Sequence, residues 1–93
     1  MKAIFTGTEQ DLIECGFIED KKYISPHYVI RSVDKDNVLR ICVDEPIYNI
    51  WDGEDKNHSM EIWLENDKTG RGTCNFDKKL IQDLIDKNLV RWE

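Results

Sequence analysis

"HYVIRSVDKDNVLRICVD", residues 27–44, sets two runs rich in β-branched residues around the polar "DKDN", and the fold turns on how those runs pair. Alternating apolar and polar residues on either side of a turn-forming cluster predict a β-hairpin, with Asn37 suited to a left-handed turn position. Two registers compete. A four-residue loop gathers Tyr28, Ile30, Leu39, Ile41 and Val43 on one face and sends Arg40 and Cys42 to the other. A three-residue loop brings Arg31 onto the Leu39 face instead. Burying a guanidinium is costly, so the sequence favours the four-residue loop.

A second hairpin follows in "MEIWLENDKTGRGTCNF", residues 60–76. Asp67 and Gly70 stand where a type I turn with a glycine bulge needs them, which predicts a loop of Lys68, Thr69 and Gly70. Counting outward pairs Glu65 with Thr73, Leu64 with Cys74, Trp63 with Asn75 and Ile62 with Phe76. One face is then apolar. The other carries Glu61, Trp63, Glu65, Thr73 and Asn75, a polar surface with a tryptophan at its centre.

The remaining segments flank these hairpins. "MKAIFT" reads as a short strand, followed by a helix over about Glu9 to Cys15 with Thr8 as N-cap and Asp11 completing a shortened capping box. "EPIYNIWDGEDKNHS" reads as a strand around Ile47 to Trp51 and a charged loop from Asp52 to Ser59 that turns at Gly53. "DKKLIQDLIDKN", residues 77–88, reads as an amphipathic helix capped by Asp77. Leu80, Ile81, Leu84 and Ile85 form its apolar stripe, and Lys78, Lys79, Gln82, Asp83 and Asp86 face water. "LVRWE" supplies a last short strand.

Two octapeptides echo each other, "DLIECGFI" at residues 11–18 and "DLIDKNLV" at residues 83–90. Each fits a left-handed helix stop, with Gly16 or Asn88 as the turning residue and Phe17 or Leu89 folding back onto Leu12 or Leu84. Shared helix-ending chemistry explains the echo better than duplication does, because the surrounding segments do not match.

The expected fold is a single α+β domain over residues 1–93. It has a predominantly antiparallel sheet of about four to six strands, with a short N-terminal helix and a longer C-terminal helix packed on one face. A chain of this length buries only about 60% of the surface its unfolded form exposes, so one modest core is expected. Apolar residues make up 40% and charged residues 34% of the 93, a globular balance. The N-terminal residues lack the apolar core of a signal peptide and no stretch approaches a membrane span, which predicts a cytoplasmic protein. Cys15, Cys42 and Cys74 show no CxxC pairing, and buried reduced thiols are expected.

The net charge of −6 is concentrated. Residues 44–67 carry eight acidic side chains and one basic, whereas residues 68–93 carry four and six. An acidic block repels phosphates, so direct binding to nucleic acid or to an anionic membrane is not expected.

The chemical motifs are thin. His27 and His58 are the two histidines, and the adjacency of His58 and Ser59 in a loop lacks the rigid spacing of a catalytic triad. "DGED" with Asp44 and Glu45 clusters oxygen ligands but lacks the pattern of a calcium-binding loop. "TGRGT" is turn chemistry, without the lysine and the following helix of a phosphate loop. Glu61 and Glu65 on one strand would be about 14 Å apart, too far for a general acid/base pair. Neither a cofactor, a metal nor a catalytic residue is expected.

The aromatic residues carry the functional expectation. A tryptophan ringed by carboxylates suits a partner-binding anchor, and Trp63, Glu61, Glu65, Trp51, Asp52, Glu54 and Asp55 form the candidate docking set. The partner would be a basic protein surface, such as that of a nucleic-acid-binding protein. The chain would then act as an inhibitor or adaptor, an analogy of size and charge with small acidic proteins of bacteriophages and mobile elements. Two alternatives remain open: an oligomerising structural protein that pairs, for example as a homodimer, through an exposed sheet edge or the Trp63 face, and an enzyme, or a catalytic or non-catalytic subunit of one, acting on a small cationic molecule.

Overall fold

A computed structural model describes residues 2–22, 27–43 and 60–93. The predicted strand at 47–51 and the charged loop at 52–59 lie outside them.

Strand β1 (Ala3–Phe5) leads into helix α1 (Glu9–Glu14). The predicted capping box is present: the Thr8 side chain accepts from the Asp11 N–H at 3.2 Å, and the Asp11 carboxylate accepts from the Thr8 N–H at 2.8 Å. The helix ends as the sequence implies. Gly16 adopts φ +91°, its N–H donates to the Ile13 carbonyl, and the Phe17 N–H reaches back to the Leu12 carbonyl at 3.0 Å. Phe17 and Leu12 are both buried in the core.

Strands β2 (Ile18–Glu19), β3 (Tyr28–Ser32), β4 (Asn37–Cys42), β5 (Ile62–Asn66) and β6 (Gly72–Thr73) form one antiparallel sheet in sequence order. A mostly antiparallel α+β domain with five strands in its main sheet therefore stands. The closing strand β7 (Val90–Trp92) does not join this sheet; it pairs with β1 to make a separate two-stranded sheet. An isolated bridge between Ile4 and Glu61, with a hydrogen bond from the Phe5 N–H to the Met60 carbonyl at 2.8 Å, ties the two sheets together.

The C-terminal helix is not the longer single helix expected from "DKKLIQDLIDKN". Asp77 caps a 3-10 turn over Lys78–Ile81, and α-helical geometry begins only at α2 (Gln82–Asp86). The tighter turn still places Ile81 and Leu84 in the core. Asn88, at φ 60°, then ends α2, with the Leu89 N–H bonded to the Leu84 carbonyl at 3.0 Å.

Both hairpin registers differ from the expectation. In the first, Ser32 pairs with Val38, Arg31 with Leu39 and Val29 with Ile41, which is the three-residue-loop register that brings Arg31 onto the core side. Asp34 builds the turn by accepting from the N–H groups of Asp36 at 2.8 Å and Asn37 at 2.9 Å. Asn37 begins β4 rather than adopting a left-handed conformation. In the second, Leu64 pairs with Thr73 and Glu65 with Gly72, one residue from the expected count. Asn66 accepts from the N–H groups of Lys68 and Thr69, while Gly70 takes φ +72° as its turn position requires.

Arg31 explains why the disfavoured first register is stable. Its guanidinium, 20% exposed, donates to the carbonyls of Cys15 (2.9 Å) and Leu80 (2.8 Å) and forks onto both Asp83 oxygens (2.7 and 3.1 Å). It also lies over the Phe17 ring at 4.7 Å. A charge expected to be costly in the core instead finds carbonyls at the end of α1 and in the 3-10 turn, together with a carboxylate of α2. The same register makes Val29, Leu39, Ile41 and Ile62 the concealed row of the sheet, packed with Ala3, Phe5, Leu12, Phe17, Ile81 and Leu84.

Candidate functional site

With the core row fixed, alternation assigns the opposite face of the sheet: Ile18 and Asp20, then Tyr28 and Ile30, then Val38, Arg40 and Cys42, then Trp63 and Glu65. Tyr28 and Ile30, expected with Leu39 and Ile41, lie here instead, because the one-residue change of register reverses every side chain of β3.

Arg40 stands at the centre. It is directly opposite Trp63 on β5 and Ile30 on β3, and its guanidinium is 13% exposed. Its Nη1 donates to Asp20 at 2.6 Å and its Nε to Glu65, while the guanidinium lies 5.3 Å from the Tyr28 ring centroid. Asp20 is 4% exposed and also accepts from the Lys22 N–H at 3.1 Å. Burial pushes the Asp20 carboxyl up, but the bonds from Arg40 and from the Lys22 N–H outweigh it and hold the group below the ordinary carboxylate range. Burial likewise disfavours the Arg40 cation, and the two carboxylates more than restore it. Arg40, Asp20 and Glu65 form one ionic cluster with a net charge of −1, against the Tyr28 ring and across from Trp63.

Trp63 is half-buried. Gly72 on β6 lies beside it, and a β-carbon there would come within 3.4 Å of the indole. The missing side chain leaves the ring room to lie against the strand. Ile18 at the far edge is 63% exposed and extends the apolar surface beyond Ile30.

The predicted docking residues are thus placed differently from one another. Trp63 lies on the outer face. Glu65 shares that face, but its charge is taken up by Arg40. Glu61 is not a surface carboxylate: it is 3% exposed, next to the bridge from Ile4, with the Lys2 ammonium 3.8 Å away. Thr73 belongs with Leu64 rather than with Trp63. Trp51, Asp52, Glu54 and Asp55 lie outside the described residues, as do Asp44, Glu45, His58 and Ser59.

Asp20, Tyr28 and Arg40 are site residues that sequence reasoning missed. The available signal was a single arginine within the apolar run "VLRICV", which needs a carboxylate on the same face once the register is known.

Elsewhere, His27 stands between two carboxylates, with Nε2 2.6 Å from Glu9 and Nδ1 3.4 Å from Glu19. The three cysteines are half-buried free thiols rather than fully buried ones. Among the described residues no three His, Cys, Asp or Glu side chains are grouped to hold a metal ion, and no helix is long and apolar enough to cross a membrane. The outer face is chemically suited to recognition, since it offers two aromatic rings and an aliphatic edge around an arginine paired with two carboxylates. Compared with known proteins, the chain matches no family model, no curated protein and no solved structure.

Proposed function

We propose that this chain is a small acidic protein-binding module, acting in the cytoplasm as an inhibitor or adaptor, that docks a basic partner surface against the outer face of its five-stranded sheet. The supporting observation is Trp63, held at the middle of that face opposite the Asp20–Arg40–Glu65 cluster, with Ile30 and the exposed Ile18 continuing the surface. Buried aromatic anchors supply most of the energy of such contacts, and surrounding charge supplies steering. The basic character of the partner follows from the eight acidic and one basic side chains of residues 44–67. Glu61 and Glu65 add little to that steering, so the attraction depends on the rest of the run.

The test compares the wild-type chain with Trp63→Ala as immobilised bait, in low and high salt, followed by titration of any captured protein. Loss of the indole should weaken binding by about 2 kcal/mol, roughly 30-fold in Kd, and salt should weaken it further. Binding indifferent to both changes would overturn the reading. Capture of a second copy of the chain instead would favour the homodimer alternative.

A further inference from the structure

Cys15 and Lys87 lie 72 residues apart in sequence, yet the Lys87 Nζ is 3.5 Å from the Cys15 Sγ. Each occupies the C-cap position of its helix, so both backbones are fixed by neighbouring hydrogen bonds. The Cys15 carbonyl is further held by Arg31 at 2.9 Å. Neither side chain belongs to the outer face proposed for docking.

We propose that this pair is an oxidative modification site, at which peroxide converts Cys15 and Lys87 into a covalent sulfur–nitrogen cross-link. The Cys15 thiolate first attacks hydrogen peroxide; a sulfur–oxygen bond forms as the oxygen–oxygen bond breaks, giving a sulfenic acid and, after proton transfer, water. The unprotonated Lys87 amine then attacks the sulfenic sulfur. A sulfur–nitrogen bond forms, the sulfur–oxygen bond breaks, and the departing hydroxide takes up the amine proton as a second water. One thiol, one amine and one peroxide yield one sulfenamide and two waters. The thiol sulfur is oxidised and the peroxide reduced.

The surroundings favour this outcome over its competitors. A sulfenic acid can also be captured by a backbone nitrogen, but the Gly16 N–H is already bonded to the Ile13 carbonyl at 3.1 Å. Cys42 lies on the outer face of the sheet, across from the core against which α1 packs, so a Cys15–Cys42 disulfide would have to cross the sheet. Lys87 is exposed and Cys15 half-buried, which gives a small oxidant access to the sulfur.

The test uses the full chain carrying Cys42→Ser and Cys74→Ser, exposed to hydrogen peroxide at mildly alkaline pH, digested with trypsin and analysed by peptide mass spectrometry. The expected product joins the Cys15 peptide to the Lys87 peptide with a net loss of two hydrogens. It resists cleavage after residue 87, is released by dithiothreitol, and is abolished by Lys87→Gln. Oxidation of Cys15 to sulfinic or sulfonic acid without any linked peptide would overturn the proposal. So would a dehydrated Cys15 product that persists in Lys87→Gln, because that would identify another nitrogen as the nucleophile.

Discussion

Two arginines in neighbouring strands face opposite sides of the sheet, and each is stabilised by carboxylates distant in sequence. Removing either strips donors from the part-buried acceptors it serves, which costs more than the net contribution of the ion pair itself. Arg31→Met should therefore lower the free energy of unfolding by about 2 kcal/mol in urea titrations, since the part-buried carbonyls of Cys15 and Leu80 lose their donor while the exposed Asp83 returns to water. Arg40→Met should cost about 3 kcal/mol by leaving Asp20 charged and enclosed. Adding Asp20→Asn to Arg40→Met should recover part of that loss; equal destabilisation in the single and double variants would exclude the pairing as the cause. The pH dependence follows from the same bonds. Arg31 holds Asp83 below the ordinary carboxylate range against a smaller opposing effect of burial, and Asp20 is also depressed on balance. A carboxyl whose pKa is lower folded than unfolded contributes fully above the unfolded value, near 4, and loses that contribution as pH falls through the folded value. Thermal midpoints should accordingly decline below about pH 5, and Asp83→Asn should flatten that decline. No local pattern marks Asp83 or Asp20 as partners, because each looks like any other surface carboxylate in the sequence.

At the scale of elements, the ends of the helices were legible and the pairing of the strands was not. The two octapeptides end their helices through bonds that span five residues, so glycine or asparagine at the turning position is sufficient signal. Gly16→Ala should destabilise by about 1 kcal/mol or more because φ is +91° there, whereas Asn88→Gly at φ 60° should stabilise by a few tenths. Chemical denaturation of the two variants checks both signs. The hairpins differ because a one-residue change in loop length leaves turn composition almost unchanged while reversing every side chain of a strand. Asp34 and Asn66 each form the turn through side-chain bonds to following N–H groups, and either sequence also accommodates the alternative count. The C-terminal helix shows a further limit: Leu80, Ile81, Leu84 and Ile85 keep helical spacing, yet the first turn tightens to 3-10 geometry where Asp77 caps it.

For the whole molecule, the decisive feature is how β1 and β7 close the core beside the main sheet. Phe5 is 2% exposed among residues from both sheets and from the helical segments. Phe5→Ala should cost about 3–5 kcal/mol, a large part of the stability of a domain this size, and circular dichroism should show partial unfolding near physiological temperature. Composition and periodicity determined, without help from the tertiary structure, that the chain is α+β, where its two helices stop, and that it carries a concentrated acidic run. Only the tertiary structure decided the two hairpin registers, the burial of Glu61 and the pairing of Glu65 with Arg40. The physical reason is distance along the chain. A helix cap is satisfied within four or five residues, whereas Arg31 reaches Leu80 and Asp83 across 49 and 52 positions, and such partners exist only once the whole core has assembled.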